Sequence, residues 1–217
     1  DAGKVVAKPY MIIPPEIQRP QTVIEQGEKL NFELLLFGSA EESVSAVVSA
    51  LEQLYRFGLG ARRYRFDLSE IINSQTQRII WRKGKYFKDA VTAAEVQGDE
   101  LQNVTGIVIK ICTLLRIRHG GRLVKLISFQ TLIRNITNRI MELTERYGGW
   151  IDQEEAGGLL ELSKKVRTVH EETKVERMER YSNRTNEKMD FSGLIGTIEY
   201  EGDLTPVVPW LYADAET

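Results

Sequence analysis

Only two histidines and one cysteine occur among the 217 residues, and that scarcity removes whole classes of chemistry. The lone thiol, Cys112, cannot close an internal disulfide, which fits a reducing cytoplasm. No cysteine and histidine stand at zinc spacing, and no Walker loop ending in Gly-Lys-Ser/Thr is present. Gly58 and Gly60 are too close for a dinucleotide fingerprint and close a helix instead. No apolar run approaches the roughly 20 residues that span a bilayer, and the start carries no charged-then-apolar signal segment. Neither a metal, nor a cofactor, nor a membrane is therefore expected as a partner.

What is there is charge, unevenly spread. From Arg56 to Lys88 nine basic residues face two acids, and from Lys110 to Arg146 eight face two. From Tyr147 onward the balance reverses to eight basic and fifteen acidic. Attraction to phosphate depends on local surface within a Debye length of about 8 Å, so the net charge of −2 does not exclude nucleic acid.

Periodicity gives the organisation. Leu30, Phe32, Leu34 and Leu36 alternate as in a mostly buried strand, and Val44, Val47, Val48, Leu51, Leu54 and Tyr55 repeat at helical spacing up to Gly58. Tyr64, Phe66 and Leu68 then predict a second strand, with Arg63 and Arg65 on its opposite face. Residues 71–103 read as a hairpin or linker anchored by Trp81 and Tyr86, and Tyr10–Ile13 as one more strand. The second half restarts with a strand at Ile107–Leu115 and turns at Gly120-Gly121. A long helix follows, capped by Ser128, and a shorter one capped by Asp152. Strands over Lys174–Tyr181 and Gly193–Tyr200 follow, and a helix begins after Asp203. Strand, helix, strand, strand, helix is a ferredoxin-like order lacking its last strand, and the first half supplies only the closing part of the same order. The expected class is α+β: two ferredoxin-like domains, 1–100 with the linker and 101–217. The first lacks its opening strand and helix, and a homodimer or a partner strand is expected to fill the gap.

Several segments carry a family likeness. They are Pro9-Tyr10-Met11-Ile12-Ile13-Pro14-Pro15, Gly27-Glu28-Lys29-Leu30-Asn31-Phe32, Phe57 through Phe66, Gly149-Trp150-Ile151-Asp152, Glu179 through Arg184, and Tyr200-Glu201-Gly202-Asp203-Leu204. In this order the chain resembles the CRISPR precursor-RNA processing endoribonucleases of the RAMP superfamily. The resemblance implies two ferredoxin-like domains that grip CRISPR repeat RNA and cut it without metal. A ribose 2′-hydroxyl attacks the adjacent phosphate, leaving a 2′,3′-cyclic phosphate and a 5′-hydroxyl. Other CRISPR-associated proteins are expected partners. Two further readings stand beside it: a non-catalytic RAMP-fold subunit that holds guide RNA, and a structural α+β domain with incidental basic patches.

Against that expectation the polar residues sort into roles. His119, next to the cationic strand end Arg116-Ile117-Arg118, is the candidate proton acceptor, or else a surface-loop histidine. His170 sits among Glu171, Glu172 and Lys174 and reads as solvated. Tyr181 and Ser182 are candidates to orient the 2′-hydroxyl or donate to the phosphate. Arg63, Arg65, Arg116, Arg118, Arg122, Lys125, Arg180, Asn183, Arg184 and Lys188 are the candidate RNA contacts, with guanidinium forks matched to phosphate. Lys83 and Lys85 beside Tyr86 combine charge with a base-stacking ring, or else form a solvated linker.

Overall fold

A computed structural model describes residues 7–13, 25–59, 62–93, 101–182 and 187–215. Two compact units form: the described parts of 1–13, 32–96 and 143–149, and those of 14–31, 97–142 and 150–217.

In the first unit β1 (Tyr10–Ile13) pairs antiparallel with β2 (Glu33–Leu36), so the short strand near the start is real. β2 is shorter than its alternating pattern predicts. Leu30 and Phe32 precede it and stay 42% exposed, because the ladder to β1 ends at the Ile13–Glu33 pair. Helix α1 (Val44–Phe57) follows and stops at Gly58. The predicted strand over Arg63–Leu68 is not formed. Arg62 and Arg63 occupy a turn with Arg63 in the left-handed region (φ 50°), and a single Leu59–Tyr64 bridge replaces a ladder. Tyr64 is consequently 63% exposed rather than buried, its hydroxyl taking a 3.2 Å hydrogen bond from Arg62. Among the described residues β2 pairs only with β1. The region read as a hairpin or linker forms two successive hairpins, a three-stranded antiparallel sheet of β3 (Glu70–Ile72), β4 (Ile79–Arg82) and β5 (Lys85–Tyr86). Trp81 and Ile80 of β4 pack with Val48 and Ala90, and the Trp81 indole donates to Glu52 Oε1 at 2.8 Å.

The second unit is built on β6 (Gly106–Leu115), which is followed by a small hairpin of β7 (Arg118–His119) and β8 (Arg122–Leu123). Helix α2 (Phe129–Tyr147) starts where the Ser128 hydroxyl accepts from Thr131 N, and its last turn belongs to the first unit. Asp152 caps α3 (Gln153–Ser163) by accepting from the amides of Glu154 and Glu155. β9 runs Arg167–Glu176, earlier than predicted, and Glu179–Ser182 is a separate strand, β10, paired with β11 (Glu187–Asp190). Glutamate and threonine on the helix-facing side of β9 hide its period-two signal. β12 (Gly193–Glu201) lies between β6 and β9, both antiparallel to it, and α4 (Val208–Ala215) ends the described chain. The order β6-β12-β9 is the first-third-second arrangement of a ferredoxin-like sheet.

Its core joins Ile127, Phe129, Ile133 and Ile136 around α2 to Leu194, Ile198 and Tyr200 of β12. Tyr200, 1% exposed, donates to the Ile127 carbonyl at 2.7 Å and packs against Phe129 with ring centroids 5.0 Å apart. Gly196 sits at φ 131°, and a Cβ there would come within 2.1 Å of the Glu172 carbonyl oxygen, so only glycine lets β12 pass β9.

Candidate nucleic-acid interface

The end of β6 sets up the site by alternation. Ile117 is buried, so its neighbours Arg116 and Arg118 point the other way. The Val124 amide donates to the Ile117 carbonyl at 2.8 Å, and His119 stands opposite Arg122 in register. Gly120 and Gly121 close this hairpin with φ 57° and 79°, the two left-handed residues that a tight two-residue turn requires. His119, Arg118, Arg122 and Lys125 are all exposed.

The β10–β11 hairpin places position 181 opposite 188, and positions 180 and 182 opposite 189 and 187. Lys188 is exposed and its Nζ donates to Glu179 Oε2 at 3.0 Å, a surface pair worth about 0–1 kcal/mol that a phosphate can replace. Asn183 and Arg184 lie outside the described residues, and the side chains of Arg180, Tyr181 and Ser182 are not described.

The two hairpins meet at Asp190 and Phe191. Arg116 donates from Nη2 to the Asp190 carbonyl at 2.6 Å, and its guanidinium lies 4.7 Å above the Phe191 ring. Its Nε is buried without a partner among the described residues, so Arg116 is an internal clamp as well as a cation. Arg118 Nη2 stands 3.9 Å from Asp190 Oδ2. The Ser192 hydroxyl and amide, and behind them Arg116 and Arg118, hold the Asp190 carboxyl below its ordinary range. The Ser192 hydroxyl also accepts from the Met178 amide, and Phe191 N donates to Met178 O at 2.7 Å, closing the base of β10–β11. Asp190, Phe191 and Ser192 were not among the candidate site residues read from the sequence. The signal available was the Asp-x-Ser spacing at a strand end, a common local turn.

Thus Arg116 and Arg118 tie the β7–β8 hairpin, which carries His119 and Arg122, to the base of β10–β11 through Asp190. Arg63 and Arg65 belong to the first unit, both exposed. His170 lies within β9, not ahead of a strand, opposite Glu199 and exposed. Among the described residues, no three His, Cys, Asp or Glu side chains converge as a metal site would need.

Fold and surface together define an α+β protein of the double ferredoxin-like type with two adjoining polar hairpins, of which β7–β8 is cationic. Residues 109–214 match the model of the family described as CRISPR-associated endoribonuclease Cas6, and residues 2–96 match a model described as an N-terminal domain. The C-terminal half of the chain belongs to the Cas6 family. No curated protein matches the chain. Among solved structures it is similar to a Cas6 of Thermus thermophilus in its product complex. The TM-score is 0.56 at 13% identity, covering 96% of this chain and 74% of that one. Another Cas6 product complex aligns over 98% of this chain and 74% of its own, with a TM-score of 0.45 at 12% identity.

Proposed function

We propose that the chain is the RNA-gripping part of an endoribonuclease that processes CRISPR precursor RNA by attack of a ribose 2′-hydroxyl. The observation that carries this is the Arg116–Asp190 junction, which joins two polar hairpins into one surface inside a Cas6-type region. Arg118, Arg122, Lys125 and Lys188 contact the phosphates from that surface, and Arg63 and Arg65 do so from the first unit; Arg180, Asn183 and Arg184 are proposed as further phosphate contacts from sequence alone. Arg116 positions the hairpins and adds charge behind them.

In the reaction, His119 takes the proton of the 2′-hydroxyl and O2′ attacks phosphorus. The P–O5′ bond breaks and the leaving oxygen takes a proton from water, giving a cyclic phosphate and a 5′-hydroxyl. Tyr181 and Ser182 donate hydrogen bonds to the ribose or to the phosphate oxygens, where charge builds up. A positioned base of this kind contributes roughly 10²–10⁴-fold.

The test is incubation of the protein with its repeat RNA in EDTA. Cleavage leaving a 2′,3′-cyclic phosphate is expected, with His119→Ala slowing it by about 10²–10⁴-fold at unchanged affinity. Salt-dependent binding without cleavage would replace this reading with the non-catalytic guide-RNA subunit, and absence of binding would leave a structural domain.

A further inference from the structure

The β4–β5 hairpin of the first unit is left unused by this mechanism, and its chemistry is that of a single-strand RNA contact. Between Arg78 and Lys88 the cations Arg78, Arg82, Lys83, Lys85 and Lys88 occur with no acidic residue among them. All five are exposed, and among the described residues only Arg82 has an ion-pair partner, Glu70. Lys83 and Gly84 form the turn, both left-handed (φ 50° and 76°), which pushes the Lys83 side chain out at the tip.

The ladder continues past β5: the Phe87 amide donates to the Ile80 carbonyl at 2.8 Å, and Phe87 is extended (φ −115°, ψ 90°). Lys85 and Phe87 therefore share one side of the sheet, the side on which Arg82 faces Lys85 in register. Phe87 keeps 46% of its surface in solvent, and Tyr86 38% on the other side. An exposed ring flanked by ammonium groups is a surface on which a base can stack while its phosphates meet the cations.

The platform is also held still. Trp81 is buried and tied to Glu52, while Asn73 Nδ2 donates to the Ala90 and Thr92 carbonyls and its Oδ1 caps Gln75 and Thr76. Little ordering is left for a ligand to pay for.

We infer that this hairpin binds an unpaired stretch of the RNA, Lys83, Lys85 and Lys88 on the phosphates and Phe87 stacked on a base. The inference rests on the RNA-processing reading for its biological ligand and deepens it with a second contact. An acidic protein would satisfy the lysines but has no base to place on Phe87, which is why RNA is the assigned partner.

Binding of the full chain to an oligouridylate of about 12 nucleotides, within the 4–16 that such sites cover, tests it. Lys85→Glu with Lys88→Glu should weaken that binding about 10-fold and flatten the log–log salt slope by roughly 1.4, two phosphates at 0.7 each. Phe87→Ala should weaken it roughly 5- to 100-fold with the salt slope unchanged, and Phe87→Trp should restore it. Unchanged affinity in these variants overturns the inference. Loss on charge reversal with none on Phe87→Ala overturns it too, leaving a patch for some acidic ligand. Repeat RNA cut normally while the variants keep wild-type oligouridylate affinity sinks this hairpin alone. Oligouridylate binding through Phe87 with no repeat cleavage sinks the processing reading alone.

Discussion

The two units differ in how much each invests in its interior. Among the described residues the second buries eleven apolar side chains in one cluster, the first four. The second has a sheet of nine- and ten-residue strands under two helices, whereas the first makes do with strands of two to four residues. Its surface is correspondingly rich in exposed rings and arginines. A thin core leaves more of the sequence free for surface chemistry, while a thick one can carry hairpins that add nothing to stability.

The largest test of that contrast is Phe129→Ala. Removing a ring that is 1% exposed should cost the second unit about 3–5 kcal/mol in urea denaturation. Trp81→Ala is the matching probe of the first unit, and it should leave the second unit's transition where it was. A single transition shifted equally by both variants would break the contrast.

A smaller effect belongs to the hairpin junction. Arg116→Ala removes a charged donor and a ring contact, and should loosen β10–β11 by about 1–3 kcal/mol in amide exchange at Phe191. The core of the second unit should stay intact, and exchange spreading into β12 would show that the hairpin is part of the core.

Tyr200 offers a pH handle on the core itself. Burial, and then the Glu171 carboxylate, raise its phenol well above the ordinary 10.0. The folded state therefore keeps a proton that the unfolded chain loses above pH 10, so stability should fall as pH rises past that point. Tyr200→Phe should flatten this alkaline limb and cost about 1 kcal/mol at neutral pH for the lost bond to Ile127. An alkaline limb of unchanged slope would assign it to other groups.

The smallest effect is at Asp190. Its lowered carboxyl stabilises the junction above its ordinary value near 3.8 and ceases to do so as the pH falls through the folded value. Exchange at the base of β10–β11 should quicken there in the native chain and show no such step in Asp190→Asn.

Legibility followed the same divide. The long elements of the second unit stood out because an amphipathic stripe such as Phe129, Leu132, Ile133 and Ile136 has one physical explanation. β9 was misplaced because its inward residues include Glu171 and Thr173, which no hydrophobic period reveals. The strand over Arg63–Leu68 failed for the converse reason: alternation was present, but Arg63 turned left-handed and, among the described residues, only the Leu59–Tyr64 bridge pairs with it. Of the candidate site, His119 and its arginines were readable as a cationic strand end before two glycines. That Arg116 reaches Asp190, 74 positions away, was not.

Local chemistry alone was enough to specify the helices, their caps, the Gly120–Gly121 turn and the segregation of charge, since each depends on residues within a turn or two. Only tertiary structure decided which cations are spent inward and which remain for a ligand. That choice depends on long-range pairing, as with Arg116 over the Phe191 ring, and no spacing in the chain encodes it.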